Sequence, residues 1–192
     1  MLGAILNAAN AVTIIASVWL ASGRAAEKHE PRRVVFRYFT VLSNLLCAAA
    51  SVIAAVFHAA GGLPLWASAL KYVSTCAVTV TFATVMLFLG PAYGGVKELI
   101  KGEDLFLHVI CPLLALATYC LFDKTKIDSR SMLLGVLPVL LYRLLYLYKV
   151  LLAPKDRRWE DFYTFNRGGK WPVSFAAMLL GALAVSALLK LI

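Results

Sequence analysis

The sequence predicts an all-α integral membrane protein, a polytopic bundle of six transmembrane helices. Of its 192 residues, 61% are hydrophobic and 15% are charged, whereas soluble globular domains are about half apolar and about a quarter charged. Apolar stretches long enough to cross about 30 Å of hydrocarbon alternate with short charged clusters. Each stretch is continuously apolar rather than alternating, which favours helices over a membrane β-barrel.

Three spans are predicted in the first half of the chain. The first, Leu2–Ala21, has no Lys or Arg ahead of it and therefore lacks the charged start of a secretory signal. The second, Val34–Ala60, follows a basic cluster, and a Gly-Gly turn separates it from the third, Pro64–Gly90.

Three more spans complete the prediction. Leu105–Phe122 follows an acidic pair, Met132–Leu152 follows a polar segment, and Trp171–Ile192 follows an aromatic and basic loop. The connecting segments are too short for a separate soluble domain, so residues 1–192 are predicted to form a single transmembrane domain.

The distribution of Lys and Arg predicts the orientation and the surroundings of the bundle. Eleven of these residues lie in the first, third and fifth loops, and four lie on the opposite face. The positive-inside rule then places the odd-numbered loops in the cytoplasm and both termini outside. Because the net charge of +9 is divided among short loops, membrane lipids rather than nucleic acid are the predicted partners.

Polar residues in the second span are candidate functional residues, because polar groups at membrane depth are costly. Spacings of three and four residues place Arg37, Thr40, Ser43 and Asn44 on one helix face, which is predicted to face the bundle interior. A structural interpretation stays open: Thr40 returns a hydrogen bond to the carbonyl of Phe36, and Asn44 joins two helices.

His108 is the second candidate, near the start of the fourth span. Asp104, four residues earlier, is expected to orient the imidazole through one ring nitrogen. At 1.5 Å per residue Thr40 lies about 9 Å and His108 about 4.5 Å from the cytoplasmic ends of their spans. The two residues therefore share a leaflet, where a nucleophile and a base can meet.

Arg143 lies in the same leaflet, about 13 Å from the cytoplasmic end of the fifth span. One prediction is that it binds an anionic group of a ligand. The alternative is that it pairs with a carboxylate of the protein or extends to the membrane interface. His58, in contrast, lies about 27 Å along the second span from Thr40 and is predicted to be interfacial.

No metal or cofactor is predicted from the sequence. A membrane haem needs two histidines at matching depth, and His58 and His108 lie at opposite faces. The cysteines lack metal-ligand spacing and are predicted to be packing residues: Cys47, Cys76, Cys111 and Cys120.

The fifth loop mixes aromatic and charged residues next to the membrane. Aromatic residues at headgroup depth usually anchor a protein in the interface. The alternative, favoured by Gly168 and Gly169, is a cap over the site around Thr40 and His108.

Three segments carry a resemblance to a known family. They are Arg37–Leu46, reading RYFTVLSNLL, Leu107–Leu114, reading LHVICPLL, and Phe162–Trp171, reading FYTFNRGGKW. Together they resemble the FAR-17a and androgen-induced (AIG-type) integral membrane protein family, in particular its bacterial branch. The resemblance extends over nearly the whole chain and implies a similar number of spans.

This resemblance implies an activity. Animal members are intramembrane hydrolases of fatty acid esters of hydroxy fatty acids, and they use a threonine nucleophile and a histidine. By position these residues are Thr40 and His108, and the implied chemistry needs no cofactor. We further expect Ser43 and Asn44 to donate to the oxyanion and Arg37 or Arg143 to bind a substrate carboxylate.

A second interpretation of the same sequence is a membrane protein without catalysis. In that case the polar residues only pack helices, and the protein is a small-solute or lipid carrier or an assembly partner.

Overall fold

The computed structural model describes residues 1–92, 94–124 and 131–192. All six predicted spans are confirmed as long apolar helices, and they make this an integral membrane protein of all-α class. They are α1 (Leu2–Glu27), α2 (Phe39–Ala59), α3 (Leu65–Ala92), α4 (Glu103–Asp123), α5 (Met132–Leu152) and α6 (Trp171–Leu191).

Helix α2 begins at Phe39 rather than at the predicted Val34. Residues Arg32–Arg37 form a short 3₁₀ helix, and Tyr38 is extended, with φ −92° and ψ 133°. This break places Thr40 in the first turn of α2. The helical periodicity of α2 therefore does not extend to the residues before Phe39.

Helix α1 continues to Glu27, beyond the predicted end at Ala21. Its last turns pack against protein, because the Arg24 guanidinium reaches across to α4. There it pairs with the carboxylate of Glu103 and, at 3.1 Å, with that of Asp104. Because α4 provides partners for this polar turn, α1 continues beyond the predicted hydrocarbon boundary.

Helix α3 lies at the centre of the bundle. Helices α2 and α4 pack against one side of α3, and α5 and α6 pack against the other. Helix α1 packs on α2 and α4. Small and β-branched residues of α3 are fully buried and allow this close approach, among them Cys76, Ala77 and Val78. Large apolar side chains cover the outside, as a surface facing lipid requires: Trp19, Leu87, Leu141, Leu180.

Residues 153–170, the fifth loop, fold back onto the end of the bundle. The Asp161 carboxylate organises the loop by accepting hydrogen bonds from the Tyr146 hydroxyl (3.1 Å) and from the amides of Phe165 and Asn166 (2.8 Å each). Rings of the loop then pack on Tyr146 of α5, with Phe162 at 5.0 Å between ring centroids. The loop is therefore a folded cap on this end of the bundle.

A glycine of α5 sets the contact between α5 and α6. A Cβ at Gly135 would lie 2.4 Å from the Ser186 hydroxyl and 2.9 Å from the Cys76 sulfur. Ser186 cannot move away freely, because its hydroxyl donates to the carbonyl of Met132 and also bonds the Tyr72 hydroxyl. Gly181 on α6, in contrast, has no atom within 4 Å of such a Cβ.

We expect Gly135→Ala to lower the free energy of unfolding by about 1–3 kcal/mol, because the added methyl group overpacks a buried contact. Gly181→Ala is the matched control, and it should be neutral or stabilise by up to about 1 kcal/mol through helix propensity. Thermal unfolding in detergent checks both variants. Equal melting temperatures for the two variants would show that the contact at Gly135 is not close.

Candidate active site

Thr40 and His108 come together across the interface of α2 and α4. The Thr40 Oγ1 lies 3.3 Å from the His108 Nε2, and both side chains are half-buried. Thr40 is in the first turn of α2, and His108 lies in a π-helical turn of α4, Phe106–Ile110. Such turns rotate a side chain away from the regular α-helical face, often at functional sites.

A backbone carbonyl fixes the tautomer of His108. The Nδ1 lies 2.6 Å from the Leu99 oxygen, and since a carbonyl only accepts, Nδ1 carries the hydrogen and donates it. The Nε2 of the neutral ring is then an acceptor facing the Thr40 hydroxyl. The expectation that Asp104 orients the ring is wrong, because its carboxylate pairs with Arg24 instead.

Asn44 connects α2 to α4 beside this pair. Its Nδ2 donates to the carbonyl of Thr40 at 2.8 Å and to that of Leu107 at 3.0 Å. Because Leu107 precedes His108, this single amide holds the two candidate residues in register. Ser43 also donates to the Thr40 carbonyl, at 3.1 Å. The donors of Ser43 and Asn44 are thus engaged here, and a role at the oxyanion requires them to exchange partners.

A cavity of about 340 Å³ opens beside Thr40 and His108. This volume falls in the usual range for a small-molecule site. Apolar side chains form much of its wall, among them Ala21, Val34, Val41, Leu89, Leu107 and Phe162. The charged side chains in its lining are Arg24, Lys28, Glu30, Glu103 and Asp104. A cavity with both kinds of lining suits an amphipathic molecule.

Thr40 also lines a second, much smaller cavity, of about 20 Å³, whose wall includes Arg143. Arg143 is 6% exposed, and its guanidinium carbon lies 5.7 Å from the ring centroid of Tyr163 and 5.3 Å from that of Phe165. It forms no hydrogen bond or ion pair with any described residue. A buried cation with five unused donors therefore shares a cavity with the candidate nucleophile.

Arg37 is placed differently. Its side chain is exposed, its guanidinium lies 5.9 Å from the ring centroid of Trp159, and it lines neither cavity. The helical spacing that grouped it with Thr40 assumes a continuous helix, and the extended Tyr38 interrupts it. Of the other five residues predicted for the site, the structure gathers four around Thr40 and leaves Arg37 exposed.

Tyr163 of the fifth loop was not predicted and lines both cavities. Its hydroxyl accepts a hydrogen bond from the Phe39 amide at 3.0 Å. A second tyrosine supports the same stretch of backbone, since the Tyr142 hydroxyl donates to the Arg37 carbonyl at 2.7 Å. Burial raises the pKa of the Tyr163 phenol above its ordinary value, and the bond from Phe39 opposes this only in part. Tyr163 is therefore a neutral phenol that supports the first turn of α2. The role of Tyr163 could not be predicted from the sequence, because it depends on where the fifth loop folds.

Comparison of the chain with protein-family models, with curated proteins and with solved structures found no match. The family resemblance thus rests on the three sequence segments alone and stays a prediction. Within the described residues, no group of three His, Cys, Asp or Glu side chains is placed to hold a metal ion.

We expect Tyr163→Phe to lower the free energy of unfolding by about 1–3 kcal/mol, because the Phe39 amide loses a buried acceptor. Tyr148→Phe is the matched control, since Tyr148 is an exposed tyrosine of α5. Thermal unfolding of the two purified variants checks this. A Tyr163→Phe protein as stable as Tyr148→Phe would remove Tyr163 from the support of α2.

Proposed function

We propose that the protein is an intramembrane hydrolase of fatty acid esters, with Thr40 as the nucleophile and His108 as the general base. The observation that carries the proposal is the chain of contacts from the Thr40 hydroxyl through His108 to the Leu99 carbonyl. A nucleophile within reach of a base, and a base oriented by a third group, are the parts that nucleophilic catalysis needs.

The reaction begins when the His108 Nε2 accepts the proton of the Thr40 hydroxyl and the oxygen attacks the ester carbonyl carbon. The carbonyl electron pair moves to its oxygen and gives a tetrahedral oxyanion. The intermediate collapses to an acyl-Thr40, and the leaving alcohol takes its proton from Nε2. Water, deprotonated by the same nitrogen, then releases the acid and restores Thr40. Throughout, the Leu99 carbonyl holds the Nδ1–H and stabilises the imidazolium.

Arg143 is the residue we assign to the carboxylate of an acidic ester. It lies on the small-cavity side of Thr40, whereas His108 lines the large cavity. A guanidinium binds a carboxylate with two parallel hydrogen bonds, and a buried one without a partner has its donors available. The exposed position of Arg37 makes it the weaker of the two candidates.

We also assign the site to the cytoplasmic leaflet of a bacterial inner membrane, with both termini outside. The charge bias of the loops supports this orientation, and the large cavity, lined from the first and third loops, opens on the same side.

A fluorophosphonate should form one covalent adduct, on Thr40, because an activated hydroxyl attacks phosphorus as it would an ester. We expect Thr40→Ala to abolish the adduct and His108→Ala to slow its formation by about 100-fold or more. Intact and peptide mass spectrometry measure both effects.

The matched control is Thr13→Ala, since the Thr13 hydroxyl only returns a hydrogen bond to the Ala9 carbonyl on α1. It should label like the wild type. Absence of an adduct on folded wild-type protein, or an adduct that survives Thr40→Ala, would contradict the proposal and favour a carrier.

Arg143→Gln should separate acidic from neutral substrates. We expect kcat/KM for an ester with a free carboxylate to fall about 10- to 100-fold, because charged hydrogen bonds are worth about 1.5–3 kcal/mol. The methyl ester of the same compound should be hydrolysed as before. Arg37→Gln, which changes an exposed arginine, should alter neither rate by more than about threefold. An equal loss for both esters in folded Arg143→Gln protein would instead assign Arg143 to the oxyanion.

A further inference from the structure

A second polar cluster lies at the other end of the bundle from Thr40. His58 is in the last turn of α2, about 27 Å along the helix from Thr40, and it meets Asp123 at the end of α4. Lys71 of α3 points into the same cluster, and both Lys71 and Asp123 are completely buried. The sequence interpretation treated His58 as interfacial and did not consider the other two.

The Asp123 carboxylate accepts hydrogen bonds from α1 and α2 and pairs with an ammonium of α3. The Asn7 amide lies 3.0 and 3.1 Å from its two oxygens, and the His58 Nε2 lies 2.6 Å from Oδ1. The Lys71 ammonium lies 3.8 Å from Oδ2, and the Ser68 hydroxyl donates to the Asp123 backbone carbonyl at 2.6 Å. Donors thus face both oxygens of the carboxylate.

The two basic residues differ in their access to water. Lys71 is sealed inside the bundle, where its ammonium donates to the Ser51 hydroxyl at 2.7 Å. The His58 side chain is 18% exposed, and its Nδ1 has no hydrogen-bond partner among the described residues. Since Nε2 faces the carboxylate, Nδ1 can accept a proton while the bond between His58 and Asp123 is kept.

The ionisable side chains of the cluster differ in the charge that each can add. With Asp123 ionised and Lys71 protonated the cluster is neutral, and a proton on His58 makes one carboxylate serve two cations. Helix α1 contributes Asn7, which does not titrate. The other titratable groups are Tyr119 on α4, whose phenol interacts with the Asp123 charge, Cys47 on α2, near Lys71, and the exposed Lys124 after α4. Histidine is the side chain among these that ordinarily changes charge between pH 5 and 8.

The interior also offers acceptors for Lys71 when His58 is charged. Six buried side-chain oxygens have no hydrogen-bond partner among the described residues, and three of them are on α1 and α3: Asn7 Oδ1, Asn10 Oδ1 and Thr75 Oγ1. Thr75 lies one helical turn beyond Lys71, and Asn10 donates to Cys47, which contacts Ser51. The ammonium therefore has acceptors close to its present partner.

We propose that His58 and Asp123 form a proton-binding site at the end of the bundle opposite Thr40, with Lys71 as its fixed counter-charge. Ionisable clusters of this kind inside membrane proteins serve as proton relays. The site uses none of the residues assigned to ester hydrolysis, so it stands or falls independently of that proposal.

Nitrogen-15 NMR of histidine-labelled protein in lipid bilayers tests this proposal directly. The chain has three histidines, His29, His58 and His108, and the variants His29→Gln and His58→Gln assign the signals. On acidification from pH 9 to pH 5, we expect Nδ1 of His58 to become protonated while Nε2 stays protonated. A His58 that keeps one protonation state over this range would overturn the proposal.

The partners of His58 give the decisive comparison. Asp123→Asn should make protonation of Nδ1 in His58 less favourable, because the carboxylate beside Nε2 is gone. Asp156→Asn is the matched control, since Asp156 is an exposed loop residue paired with Arg157, and it should leave the titration midpoint of His58 unchanged. If Asp123→Asn does not fold, Lys71→Gln carries the test and should move the midpoint to higher pH. Midpoints that do not respond to the partner variant would show that the cluster is only structural.

Discussion

The structure depends on one constraint: polar side chains at membrane depth must find their partners inside the bundle. Helix α2 meets this constraint along its whole length with a single polar face. Thr40, Asn44, Cys47, Ser51 and His58 follow one another at helical spacings, and each contacts a polar group of a neighbouring helix or of α2 itself. The packing of α2 against α1, α3 and α4 is thereby specified at both ends and in the middle.

The contact between Thr40 and His108 illustrates how backbone groups complete a site of few side chains. The tautomer of His108 is set by a carbonyl of the third loop, and the first turn of α2 is supported by a tyrosine of the fifth loop. At the opposite side of the site, Arg24 ties the start of α4 to the end of α1. The geometry of the candidate site is thus held by loops and helix ends, while the transmembrane segments supply the frame.

Hydropathy and helical spacing were sufficient to predict the six spans and the shared depth of Thr40 and His108, since both follow from the chain's own periodicity. They were not sufficient for Leu99 and Tyr163, because a backbone carbonyl and a folded loop leave no pattern in the sequence. Arg37 was grouped with Thr40 only because the extended backbone at Tyr38 could not be foreseen. The pairing of Lys71 with Asp123 could not be predicted either, because the two residues are far apart in the sequence. A lysine within a span was nevertheless a signal of a buried polar site.

Two buried cations in this bundle are balanced in different ways. Lys71 faces a carboxylate of the same chain, so its charge is neutralised in the folded protein. Arg143 is nearly as deeply buried, and its guanidinium lies against the rings of Tyr163 and Phe165, which stabilise a cation by about 0.5–2 kcal/mol and satisfy none of its five donors. The Asp161 carboxylate acts on this charge electrostatically but forms no ion pair with it. An unpaired buried charge costs several kcal/mol, so folding alone gives no reason to retain one beside Thr40. In the proposed hydrolysis, an ester that carries its own carboxylate would supply the missing charge.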